Sequence, residues 1–248
     1  MSLNETRRSS SFLRGRSSAF SVVNQGLRTY LLKVYQLMGL GLLVSAATAY
    51  LGTREAFARL LFTVTPQGAT YSLIGWLVII APLILVFMFG SAVRKIDPAK
   101  AQTIFWVFSA LMGFSYSAIF IAYTAESLFQ TFVVASASFG ALCLYGYTTK
   151  RDLTGMGAFL NMGLWGLIAA MLINIFMKSG PFGYLISVIG VVIFVGLTAY
   201  DTQKIKNMYN ESDSSDITQT KAISGALTLY LDFINLFMML LRLMVNRK

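Results

Sequence analysis

Asp232 stands near the middle of the last hydrophobic run, residues 226–243, and of the chain's ten acidic residues it is the one deep inside an apolar segment of membrane length. A charged side chain at mid-bilayer costs about 2.5–3.5 kcal/mol on insertion scales, so such a group faces a partner, a cavity or an ion path. Leu229, Leu231, Phe233, Ile234, Leu236, Phe237 and Met238 cover every face of the run, which argues against a soluble amphipathic helix with an exposed acid. A second acid, Asp201, ends the sixth hydrophobic run in the string AYDTQ. Two carboxyls within hydrogen-bond reach in a poorly solvated bundle cannot both be charged cheaply; they share a proton and titrate as a pair, and such a pair is a pH switch. Taken alone, Asp201 is equally an interfacial acid paired with Lys204. Asn235, one helical turn from Asp232 on the same face, is a secondary polar group, either interhelical glue or a ligand.

The rest of the composition narrows the chemistry. There is no histidine, so imidazole metal ligands and histidine-based triads are excluded, and proton chemistry near neutral pH falls to carboxylates. The single cysteine, Cys143, excludes an internal disulfide and a cysteine-rich metal site. No GxSxG elbow, P-loop, HExxH or strand-turn-helix GxGxxG is present. Tyr200–Asp201 with an aspartate in the next run faintly resembles the paired aspartates of presenilin-type intramembrane proteases. Around Asp232, however, the glycines of their second motif are missing, as is a Pro-Ala-Leu in the final run, so an intramembrane aspartyl protease is a remote alternative and no enzyme activity is expected. Calcium prefers six to eight oxygens, and two carboxylates with one amide fall short of a tight cage; Asp201 and Asp232 suit a weak, transient cation site. No resident cofactor is expected.

These residues need elements to hold them. At 248 residues, 56% hydrophobic and 12% charged, the chain has too little polar surface to coat a globule and enough apolar length for several spans. The expected fold is an all-α membrane protein, with spans at about 34–51, 73–93, 101–123, 127–147, 156–177, 184–200 and 223–243, each near the length a bilayer crossing requires. Residues 1–30 read as a basic, disordered cytoplasmic tail, and 31–248 as a seven-helix transmembrane domain. Pro82 falls within the second span, where a proline frees a carbonyl; it is a candidate hinge or a static kink.

Charge by loop orients the chain. The tail, the Arg94, Lys95, Lys100 loop and the Lys150, Arg151 loop are basic, which puts the N-terminus in the cytoplasm. Sorting of basic residues to one side also accounts for the net charge of +10 without a nucleic-acid partner. The basic C-terminal end would then lie outside, against the rule. Either the last helix crosses fully, the favoured expectation, or it re-enters.

The strings FVGLTAYDTQKIK (194–206), ALTLYLDFINLF (226–237) and CLYGYTTKRDL (143–153) resemble signature segments of the transmembrane Bax inhibitor motif (Bax inhibitor-1) family in its bacterial inner-membrane branch, with Cys143 at a position where that branch commonly has serine. The resemblance covers the chain beyond the basic tail. It implies seven helices with the last at the centre, and a pH-sensitive calcium leak gated by aspartates that carry over onto Asp201 and Asp232. It also implies an arginine lock at the end of span two. Arg94 stands there, with Lys95 the alternative, although the surrounding residues match poorly. Similar bacterial proteins associate with a membrane-bound protease, so a non-transporting regulator that binds such a partner is the alternative function.

Overall fold

The computed structural model describes the backbone of residues 3–65, 68–92 and 97–245, and the side chains of 25–63, 70–86 and 97–245. The chain opens with α1 (Leu3–Gly52), a short α2 (Glu55–Leu61) and a hairpin of β1 (Phe62–Thr65) with β2 (Gly68–Tyr71). Then come α3 (Leu73–Ala92), α4 (Pro98–Ser115), α5 (Ser117–Ala122), α6 (Ala125–Thr148), α7 (Thr154–Met177), α8 (Gly180–Met208) and α9 (Ser215–Met244). Among the described residues, six stretches are long and apolar enough to cross a membrane: Gln25–Gly52, Pro98–Ala122, Ala125–Thr148, Thr154–Met177, Gly180–Met208 and Ser215–Met244. α3 adds a shorter apolar stretch, Leu73–Val86. The chain is a membrane helical bundle. Of the expected tail, residues 1–24 have side chains outside the described set, while 25–30 belong to α1, where Tyr30 is buried.

Two features depart from the hydropathy pattern. The loop expected after the first span holds α2 and an antiparallel hairpin in which Phe62 pairs with Tyr71. The run expected at 101–123 breaks at Tyr116, whose φ of −90° and ψ of 3° fall in the bridge region and separate α4 from α5.

Pro82 is buried inside α3 and has no N–H to give to the carbonyl four residues back, that of Val78. Ser115, the last residue of α4, donates its hydroxyl to Val78 O at 2.8 Å. The carbonyl that a proline strands in hydrocarbon is thus satisfied by the neighbouring helix, and α3 is tied to α4 at that point.

α9 packs against α1, α4, α6 and α8. It buries 61% of its apolar window against 11% for α7, which marks α9 as the inner helix and α7 as a peripheral one. Tyr230, fully buried on α9, is bracketed edge-on by Phe105 and Phe108 of α4. Its hydroxyl lies 2.7 Å from Ser45 Oγ of α1, and Ser45 in turn donates to Ser109 O of α4 at 2.7 Å. With no water in a bilayer core, a phenol there has to find a partner in protein, and this one joins three helices.

Candidate functional site: a buried carboxyl pair between α8 and α9

The register of α8 against α9 is set where small residues let the helices touch. A Cβ on Gly225 would lie 3.1 Å from Ile205 Cγ2, and one on Gly190 would lie 2.8 Å from Met239 Sδ. Both contacts fit one antiparallel alignment, and one turn inward from the Gly225–Ile205 contact, about four residues on each helix, Asp201 comes level with Leu229. That places it within a turn of Asp232.

The two carboxyls are indeed brought together. Asp201 is 8% exposed and Asp232 6%, and their side chains are in hydrogen-bond contact. Hydropathy places Asp201 at the end of the sixth run, near the interface. The structure buries it in protein, on an α8 that continues past it to Met208 along the amphipathic segment Thr202–Met208, as α9 begins well before its apolar part, at Ser215. The six-residue link is held by Lys221, whose ammonium donates to Met208 O at 2.9 Å and to Asp213 Oδ2 at 2.5 Å.

Asp232 Oδ2 is buried, and among the described residues no hydrogen-bond donor reaches it. Two carboxyls in contact, one with an oxygen that no donor satisfies, require a positive bridge between acceptors: a proton on one of them, or a cation. The groups around them can be named. Lys204, one turn along α8, acts electrostatically on both carboxyls. Cys143 of α6 lies near Asp232, Thr202 of α8 and Tyr35 of α1. Thr202 itself donates to Thr198 O at 2.8 Å, so its hydroxyl offers Cys143 an acceptor.

Other expected site residues fall elsewhere. Asn235 is not drawn into the pair: its amide donates to Leu231 O at 2.9 Å, capping a carbonyl of its own helix. Arg94 and Lys95, the candidate locks, lie outside the described residues. Among the described residues, no group of three or more Cys, Asp or Glu side chains gathers as a metal cage. Sequence reasoning missed the Tyr230–Ser45 bond and the nearness of Cys143. The available signal was that polar or polarisable side chains in spans one, three, four and seven have no water to bond and have to meet one another.

The profile of the family described as "Inhibitor of apoptosis-promoting Bax1" matches residues 27–248. The Escherichia coli K12 inner membrane protein YbhL is 47% identical over 236 residues, covering 94% of this chain and 98% of that protein. An uncharacterized protein of Rickettsia prowazekii is 42% identical over 226 residues, 91% of this chain and 92% of that one. An uncharacterized membrane protein of Streptococcus pyogenes serotype M1 is 41% identical over 218 residues, 88% and 93% of the two chains. The match runs through both aspartate-bearing helices and nearly the whole bundle, and the chain belongs to the Bax inhibitor-1 family of membrane proteins.

Proposed function

We propose that this protein is a pH-sensitive calcium or cation leak channel of the bacterial inner membrane, gated by Asp201 and Asp232. The location is the one that names its Escherichia coli relative. Counting α3 as a crossing gives seven spans, six of them ringing α9, with the N-terminus in the cytoplasm and the C-terminus outside. The observation that carries the gating is the contact between two buried carboxyls with Asp232 Oδ2 lacking any donor among the described residues.

With one proton shared, the pair carries about one negative charge, which a single cation from the segment that follows α3 in sequence, Arg94 or Lys95, would neutralise through a charge-assisted hydrogen bond. The path is then shut. When pH rises and the shared proton leaves, the like charges repel in a low-dielectric setting, and a passing cation replaces the proton as the bridge. Acidification closes the leak and alkalinisation opens it. Two carboxylates hold such an ion weakly, which suits passage better than storage.

The test is calcium flux into liposomes containing only this protein, at two pH values. Flux is expected to rise with pH. Asp232→Asn, which leaves no shared proton to lose, is expected to remove the pH dependence; Asp201→Asn acts alike, and the double variant adds little, because the two work as a unit. A wild-type pH profile in Asp232→Asn, or additive effects in the double variant, refutes the paired gate. Absence of flux at both pH values refutes the channel.

A further inference from the structure

A partly polar surface notch of about 310 Å³ opens at the basic end of the bundle, between the start of α7 and the last turns of α8, lined by Thr154, Tyr200, Gln203, Lys204, Asn207 and Met208. Its size is at the lower end of the roughly 300–1,000 Å³ that ligand pockets span. Its polar groups divide sharply by what they are already doing. The Gln203 amide is committed at both ends, donating to Arg151 O at 2.9 Å and accepting from Leu153 N at 2.9 Å. Thr154 is committed as well, its N–H and hydroxyl both donating to Asp152 Oδ1, at 2.9 and 2.6 Å. Those bonds build the wall. Among the described residues, no protein partner meets the Lys204 ammonium or the Asn207 amide, both on exposed residues, or the hydroxyl of half-buried Tyr200, and Lys204 leans over the Tyr200 ring at 5.8 Å.

The uncommitted groups are thus one cation and two neutral groups that can donate hydrogen bonds, which is a donor set for an oxyanion. Lys150 and Arg151 of the adjoining 149–153 loop add positive charge. The anions nearby are Asp152, occupied with Thr154, and Asp201, which faces Asp232. Further along α7 from Thr154, apolar side chains are open, with Phe159 at 72% exposed, Met162 at 74% and Trp165 at 66%. A polar, donor-rich notch above an apolar helix face matches a phospholipid, with its phosphate in the notch and its chains along α7. Basic residues at the end of a bundle are also drawn to the anionic leaflet.

We infer that this cavity binds the phosphate headgroup of an anionic phospholipid through Lys204, Asn207 and Tyr200. Lys204 is also the cation that acts on both carboxyls, so an occupied cavity draws its charge away from the pair. This second consequence rests on the proposed gating; the binding does not.

The direct test is native mass spectrometry of the whole protein in detergent with phosphatidylglycerol or phosphatidylcholine added in equal amounts. The expected result is preferential retention of phosphatidylglycerol, lowered about tenfold in Lys204→Gln, the loss of one charge-assisted hydrogen bond, and restored in Lys204→Arg. Lys150→Gln, a loop cation outside the cavity, is expected to change retention by less than twofold. Equal losses in Lys204→Gln and Lys150→Gln mean diffuse surface charge and overturn the site. Displacement of the lipid by millimolar inorganic phosphate makes free phosphate the ligand and overturns the lipid assignment. For the consequence, the shift in pH midpoint of flux between phosphatidylcholine and phosphatidylglycerol liposomes is expected to be larger in wild type than in Lys204→Gln, which keeps only the shift that an anionic surface imposes on any titration. Binding intact with equal midpoint shifts in wild type and Lys204→Gln overturns the coupling alone, since the binding measurement involves no flux.

Discussion

Gly146 lies on α6 where that helix crosses α8, and adding a single methyl there is a sharp test of how the carboxyl pair is held. A Cβ on Gly146 would stand 2.3 Å from Ala199 O and 3.0 Å from Thr202 Cβ, whereas ordinary contact begins at 3.4 Å. Ala199 O is backbone and cannot swing aside, so in Gly146→Ala the two helices part by about 1 Å, the kind of overpacking that costs about 1–3 kcal/mol. Gly140, on the same helix, has nothing within 4 Å of its Cβ position. There the same substitution meets open space and gains up to about 1 kcal/mol of helix propensity. Denaturant titration in detergent is therefore expected to separate the two variants by roughly 1–4 kcal/mol, with Gly146→Ala below wild type and Gly140→Ala at or above it. Because Ala199 and Thr202 flank Asp201, the pH profile of flux is expected to move in Gly146→Ala and to stay in place in Gly140→Ala. Equal stabilities for the two variants would show that α6 and α8 are not in the close contact described, and would remove the support this crossing gives to Asp201.

Three other expectations concern different parts of the bundle. Ser115→Ala leaves Val78 O without a partner next to Pro82 and is expected to cost about 0.6–1.7 kcal/mol, the range of hydrogen bonds in membrane bundles, in the same titration; a neutral result refutes the idea that Ser115 compensates the proline. A reporter fused after Lys248 is expected on the outside and one inserted at 210–215 in the cytoplasm, and a cytoplasmic C-terminus overturns the full final crossing in favour of a re-entrant one. Arg94→Ala is expected to raise flux at low pH and leave high-pH flux nearly unchanged, because its partner matters only in the shut state; if Lys95→Ala leaks instead, Lys95 is the lock, and if neither does, the lock is refuted.

The helices were legible because each is a long apolar run, and Asp232 because a lone charge in such a run stands out against its neighbours. Asp201 was legible as a residue, and Lys204, Ile205, Lys206 and Met208 as an amphipathic continuation of its helix, but its burial was not. Hydropathy stops where Thr202, Gln203 and Lys204 begin, while the helix goes on to Met208 because those side chains are good enough helix formers with one face packed on α9. The hairpin was hidden for the opposite reason. Phe62–Thr65 and Gly68–Tyr71 are too short for periodicity to declare them, and their pairing depends on a turn between α2 and α3. Asn235 shows the limit of helical phase, which says which face a residue is on, not whether its amide turns back to a carbonyl of its own helix. The Tyr230–Ser45 bond spans 185 residues of sequence, and nothing local to either residue announces it.

That bond limits how the bundle can move. Tyr230 and Asp232 are two residues apart on α9, so they point about 200° away from each other around the helix. One is fastened to Ser45 on α1 and the other to Asp201 on α8. The inner helix is an axle keyed on opposite sides: turning it about its own axis strips a phenol and a carboxyl of their partners together, in a medium that supplies no replacement. Torsion of α9 is therefore the costly coordinate, and any widening beside the carboxyls falls to the helices around it, tilting away from a shaft that stays still.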